Sequence, residues 1–199
     1  MTPFPNRLPH WQQDRAAYFI TWRLAGSLPV SAVADLITTN GAKFIAGDRL
    51  LDAASTGPRW LTDPAVARAV ISILNRGVSE RRYDLGAWVL MPNHIHVTIR
   101  PVHGLSSAIG WLKSCTGRDA NRILKRTSQP FWARDYFDRR IRDRTAEAKI
   151  VRYIENNPVK AGLCATSDEW PWSSLKVHPP SDTLLNLSVT AHPPRDTQR

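Results

Sequence analysis

The run Trp88-Val89-Leu90-Met91-Pro92-Asn93-His94-Ile95-His96-Val97-Thr98-Ile99 decides how the whole chain is read. Two apolar, β-branched stretches flank the turn signal Met91-Pro92-Asn93, so the segment predicts a hairpin whose second arm opens on His94. Side chains at i and i+2 of a strand point to one face, so His94 and His96 converge on one object. Two neutral imidazoles aimed at one point make half of a metal site. The competing reading is a strand that carries two histidines on a solvated face, and spacing alone does not separate the two.

Outward from this hairpin, Tyr83 to Leu90 forms its first arm. Ahead of it, Thr62-Asp63-Pro64 starts a helix, with a capping residue and then Pro in the first turn. Val66, Ala69, Val70, Ile73 and Leu74 recur at helical spacing and carry that helix to about Arg82. Further upstream, Ala17 to Leu24 is β-branched and aromatic, bounded by Gly26 and Pro29, and reads as a strand. Residues 30–60 read mostly as loop, with a helical turn or two over Val30 to Ile37. Residues 1–15 are Pro-rich and polar, an irregular lead-in.

Downstream, Leu105 to Arg126 is a second helix with Ile109, Leu112, Thr116, Ala120 and Ile123 on its apolar stripe. Residues 135–142 read as a strand or extended segment. Thr145 to Asn157 is a third helix, and Pro158 ends it, because a residue before proline is disfavoured in helical geometry. Asp168 to Ser174 is a short packing segment, and residues 177–199 predict a Pro-rich, flexible tail. The order βαββαβ followed by an extra helix is that of a ferredoxin-like α+β sandwich with an antiparallel sheet, here over residues 16–176. Its hairpin pair can lie at the centre of the sheet, with both helices on one face and the other face open for a substrate.

Charge narrows the function. The formal net charge is +10 and the pI about 10.3. Residues 81–165 hold 16 basic against 7 acidic groups, whereas the segments on either side are nearly balanced. A basic surface centred on the candidate site points to a polyanion, most simply nucleic acid. Lys113, Arg118 and Arg122 on the second helix and Arg139, Arg140 and Arg142 beyond it are the candidate contacts. The alternative for residues 134–144, with five Arg and three Asp, is a self-neutralising ionic network. Eight tryptophans offer stacking platforms for unpaired bases, most of them equally readable as core. No run of about 18 apolar residues predicts a membrane span. The N-terminus lacks the apolar core of a signal peptide, and Cys115 and Cys164 stand in no metal-ligand spacing. Together these features suggest a cytoplasmic protein with reduced thiols.

Two histidines need further ligands. On the third helix Tyr153 and Asn157 stand four apart, hence on one face. Asn157 can supply an amide oxygen and Tyr153 a hydroxyl beside the ion. These are parts for nucleophilic attack on a phosphodiester, in which a cation disperses charge while a phenolic oxygen attacks in line. A mixed nitrogen and oxygen set suits Mg2+ or Mn2+. Tyr136 is the rival nucleophile, although its Phe-rich surroundings suit a core strand.

His94-Ile95-His96 after Met-Pro-Asn, then Tyr153-Ile154-Glu155-Asn156-Asn157-Pro158-Val159-Lys160-Ala161-Gly162, then Trp170-Pro171-Trp172-Ser173-Ser174, closely resembles the REP-associated tyrosine transposases. These are HUH (His-hydrophobic-His) single-strand transposases with one catalytic tyrosine. The resemblance spans about residues 15–175. It implies His94, His96 and Asn157 as metal ligands and Tyr153 as nucleophile. Related transposases often carry Gln at the third position, where Asn157 is shorter by one methylene. The resemblance further implies a bacterial enzyme, nucleoid-associated when bound to DNA and monomeric or homodimeric. Its substrate would be single-stranded DNA folded into REP-type palindromic hairpins, cut through a 5′-phosphotyrosine that leaves a free 3′-hydroxyl. Two other classes compete: a metal-dependent phosphodiester hydrolase with a water nucleophile, and a non-catalytic nucleic-acid-binding module on the same fold.

Overall fold

β1 (Tyr18–Arg23) sets the architecture, because all of its residues but Arg23 are buried and both faces of the strand are therefore covered. The computed structural model describes residues 16–28, 50–52 and 57–177. After β1 come α1 (Pro64–Ser79), β2 (Tyr83–Leu90), β3 (His94–Pro101), α2 (Leu105–Ile123), β4 (Phe137–Arg140) and α3 (Arg144–Lys160). The four strands pair antiparallel in the order β2-β3-β1-β4. This is the ferredoxin-like sandwich with one helix added. Only the second arm of the hairpin is central, however: β3 lies between β2 and β1, and β2 is at the edge.

One face of the sheet carries Ile20, Trp22, Ile95, Val97 and Ile99 and packs on α1 and α2 through Val66, Val70, Leu74, Ile109 and Leu112. The opposite face is not open, as the sequence suggests. Phe19, Ala87, Val89 and Met91 form a second core there with Ile154 of α3, flanked by Ile150 and Tyr153. These alternate strand residues are too apolar to remain in water, and α3 is the element that removes them from it. That burial is what brings the third helix onto the histidine face of β3.

Local chemistry sets the helix ends. The Asp63 side chain accepts from Ala65 N at 2.7 Å and Val66 N at 3.4 Å, with Pro64 in the first turn. α1 stops at Ser79, ahead of the expected Arg82, where Arg81 adopts a left-handed φ of 52°. α2 stops at Ile123 and Lys125 turns left-handed in the same way, at φ 54°. Pro158 does not end α3. The helix runs through it to Lys160, and Ala161 N still reaches Asn157 O at 3.0 Å. A proline in the last turn forfeits one backbone bond, and the burial of Ile154, Asn157 and Pro158 outweighs that loss.

Residues 50–52, expected as loop, are helical. The expected lead-in over 1–15, the helical turn over 30–37 and the tail from 178 lie outside the described residues. No helix among the described residues is long and apolar enough to cross a membrane.

Candidate active site

β3 pairs with β1 so that His96 stands opposite Thr21 and His94 opposite Arg23. His94 and His96 are both fully buried, and their Nε2 atoms lie 3.0 Å apart. Each ring is held by its other nitrogen. Thr21 Oγ1 lies 2.6 Å from His96 Nδ1, and Asn93 Oδ1 lies 2.7 Å from His94 Nδ1. Asn93 Nδ2 donates to the Leu51 carbonyl at 2.9 Å, which fixes the amide orientation. His94 Nδ1 must then be the donor to Asn93 Oδ1, so in the neutral ring the Nε2 lone pair faces its neighbour. This is the outer-shell arrangement that orients imidazole ligands.

From α3, the Asn157 amide reaches the same point, with Nδ2 3.2 Å from His96 Nε2. Exchanging the two ends of that amide puts its oxygen where the nitrogen now lies. Asp52 Oδ1 is 3.8 Å from His94 Nε2. Two ligands about 2.1 Å from an octahedral ion are roughly 3.0 Å apart when cis and 4.2 Å when trans. The separations of 3.0 and 3.2 Å are close to the cis value, whereas the 3.8 Å to Asp52 matches neither. Among the described residues no three His, Cys, Asp or Glu side chains form a metal site by themselves. A divalent cation at this point would therefore need the Asn157 amide beside the two imidazoles. α3 carries this amide to the histidines by packing on Phe19 of β1 and Val89 of β2.

Tyr153 sits one helical turn before Asn157. Its ring meets His96 edge-on, with centroids 5.6 Å apart, and meets Phe19 edge-on at 5.9 Å. Phe19 also stacks on His96 at 5.7 Å, so the three rings fix one another. The Lys160 ammonium stands 4.7 Å from the Tyr153 ring centre, a cation over the face of the phenol.

The fold thus brings His94, His96, Asn157 and Tyr153 together. It places Tyr136 elsewhere, packed against the α1–α2 core. Burial raises the Tyr136 hydroxyl above its usual range, partly offset by a hydrogen bond with Ser106. Of the basic candidates, Arg139 and Arg140 are exposed on the edge strand β4, and Arg142 is exposed just beyond it. Arg118 and Arg122 are exposed on α2, both close to Asp119, at 3.5 and 3.3 Å. Lys113 is half-buried and donates to the Arg134 carbonyl at 2.7 Å. Burial lowers its ammonium to about 8, against the opposing pull of Asp135.

Sequence reasoning missed Thr21, Asn93, Asp52 and Phe19. The alternation Phe19, Thr21, Arg23 in β1 was a usable signal, since a strand paired with β3 must turn one such set towards the histidines. Asn93 reads only as a turn residue. Asp52 gave no signal, because it lies in a segment with no periodicity.

A family model described as "Transposase IS200 like" matches residues 58–157, which is half of the chain and includes all four site residues. The solved structure of a REP-associated tyrosine transposase bound to a REP hairpin is similar, with a TM-score of 0.58 and 19% identity over 86% of this chain and 84% of that one. That likeness establishes a shared fold. The crystal structure of a candidate transposase from Deinococcus radiodurans R1 aligns with a TM-score of 0.44 and 17% identity over 76% of this chain and 97% of that one. No curated protein matches the chain.

Proposed function

The chain belongs to the IS200-like transposase family of DNA-cleaving enzymes, and from that premise we propose that it cuts and rejoins single-stranded DNA at palindromic hairpins of the REP type, with Tyr153 as nucleophile. The observation that carries this reading is the Tyr153 ring packed edge-on against His96, whose Nε2 converges with that of His94 and with the Asn157 amide. The Tyr153 oxygen attacks the scissile phosphorus in line. The P–O3′ bond breaks, and the 5′ side stays on the protein as a phosphotyrosine. The phenolic proton is matched by the one taken up by the released 3′-hydroxyl, so the exchange needs no net acid or base. One phosphodiester replaces another, and the bond energy is kept for the reverse reaction. The Lys160 ammonium over the ring favours negative charge on the attacking oxygen. His94, His96 and Asn157 would hold Mg2+ or Mn2+, which when bound polarises the scissile phosphate and disperses its developing charge.

A denaturing gel tests this reading. Labelled single-stranded hairpin DNA is incubated with the protein and Mg2+ or Mn2+, then denatured. We expect label retained on the protein, lost in Tyr153→Phe and lost in EDTA. Cleavage that survives Tyr153→Phe but not Tyr136→Phe would move the nucleophile to Tyr136. Cleavage that survives both would favour a water nucleophile, and binding without cleavage would favour a non-catalytic module. Full activity in EDTA would remove the metal from the mechanism.

A further inference from the structure

Every second residue of β1 lies on the histidine face of the sheet. Phe19 joins the core beneath α3, and Thr21 Oγ1 meets His96 Nδ1 at 2.6 Å. The next residue in that row is Arg23, whose cross-strand partner is His94. Leu24 N donates to the Asn93 carbonyl at 2.8 Å, so Leu24 and Asn93 occupy a hydrogen-bonded position of the ladder. Positions alternate along an antiparallel pair. Arg23 and His94 therefore form the closer, non-hydrogen-bonded kind, with Cα atoms about 4.5 Å apart and side chains on one face.

Arg23 is half-buried, the only residue of β1 that is not buried. Burial disfavours its charge, and nearby Asp135 opposes that effect. Its hydrogen bond to the described residues is a long one, Nη1 to the Leu24 carbonyl at 3.5 Å, and none of their carboxylates lies within ion-pair reach. Nε and Nη2 take no acceptor from the described residues and keep contact with solvent. A partly desolvated guanidinium with its fork open is suited to grip a phosphate through two parallel hydrogen bonds.

Place in the row gives the role. The Tyr153 ring packs on Phe19 and His96, at the far end from Arg23. Phe19 and Arg23 are four residues apart on β1, about 13 Å. Between them lies the point on which the two imidazoles and the Asn157 amide converge. In-line attack by Tyr153 expels the 3′-oxygen on the side away from the nucleophile, and Arg23 stands on that side.

We propose that Arg23 binds the DNA phosphate one nucleotide 5′ of the scissile one, and so retains the strand that leaves with the free 3′-hydroxyl. The proposal rests on the reading of Tyr153 as nucleophile and adds the residue that keeps the second product in place. Tyr153 holds one half of the cut DNA covalently, and Arg23 holds the other half by charge until it is rejoined.

The test measures binding in a Tyr153→Phe background, so that cleavage does not intervene. A single methylphosphonate, which removes the charge of one phosphate, is placed in turn along the single-stranded flanks of hairpin DNA. The bond that is cut is mapped separately with the unaltered protein. We expect one methylphosphonate 5′ of that bond to weaken binding about tenfold, with the penalty lost in Arg23→Gln and reduced in Arg23→Lys, which keeps a charge but not the fork. A loss of fold would weaken binding to every DNA alike, whereas this coupling is specific to one position. Arg23→Lys keeps a cation at the strand end, so it reads the contact even if Arg23→Gln does not fold. Equal penalties in all three proteins at every position, or a coupled position 3′ of the cut, would overturn the proposal. Failure of the Arg23 contact leaves the Tyr153 adduct intact, and failure of the adduct leaves the coupling measurable by binding, so the two readings fail separately.

Discussion

Thr21 and Asn93 touch no substrate in the scheme above, yet each holds one Nδ1 of the histidine pair at 2.6 or 2.7 Å. Thr21→Val keeps the shape and removes the hydroxyl. It should lower Mn2+ affinity by about 10- to 100-fold, as measured by electron paramagnetic resonance titration, with the fold unchanged. An unaltered affinity would mean that packing by Phe19 alone orients His96. Lys113 provides a pH signature. Because burial holds its ammonium down at about 8, it is charged below that pH and neutral above it. DNA affinity should therefore fall several-fold as pH rises from about 7 to about 9, and Lys113→Arg, which keeps its charge throughout, should flatten the profile. A wild-type profile with no such fall would take Lys113 out of the DNA contact.

At the scale of elements, two packing decisions matter. α3 closes the second face of the sheet, and Tyr153 and Asn157 reach the histidines only because Ile154 between them is buried against Phe19 and Val89. α1 is seated on β2 by Gly77, since a Cβ there would fall on the phenol ring of Tyr83. Tyr83 in turn donates its hydroxyl to the Leu74 carbonyl at 2.9 Å. An exposed helical Gly→Ala change gains up to about 1 kcal/mol. Here overpacking costs about 1–3 kcal/mol and the lost buried hydrogen bond adds to it. Gly77→Ala should lower stability by about 2 kcal/mol in urea denaturation. A stabilised variant would mean that Tyr83 yields without loss.

For the whole molecule, the basic excess of residues 81–165 becomes a surface only when the chain folds. Arg139 and Arg140 come out exposed on β4, the edge strand among the described residues, and Arg142 is exposed just beyond it. Replacing all three with Gln should reduce the slope of log affinity against log salt by about 2, at roughly 0.7 per phosphate contact on a single strand. An unchanged slope would assign them to ion pairs within the protein. Much of this organisation was legible without coordinates. Strand and helix periods gave βαββαβ, because amphipathic spacing is a local consequence of which side must be dry. His94-Ile95-His96, and Tyr153 with Asn157, were legible as pairs because i+2 in a strand and i+4 in a helix are local geometry. What local geometry could not say was that the two pairs meet. That followed from α3 burying the apolar set Phe19, Ala87, Val89 and Met91, a contact between segments some 60 to 130 residues apart. The continuation of α3 past Pro158 and Asp52 beside His94 were likewise decided by tertiary structure. Each depends on burial energy from distant neighbours outweighing a local preference, or on side chains whose own segments carry no pattern.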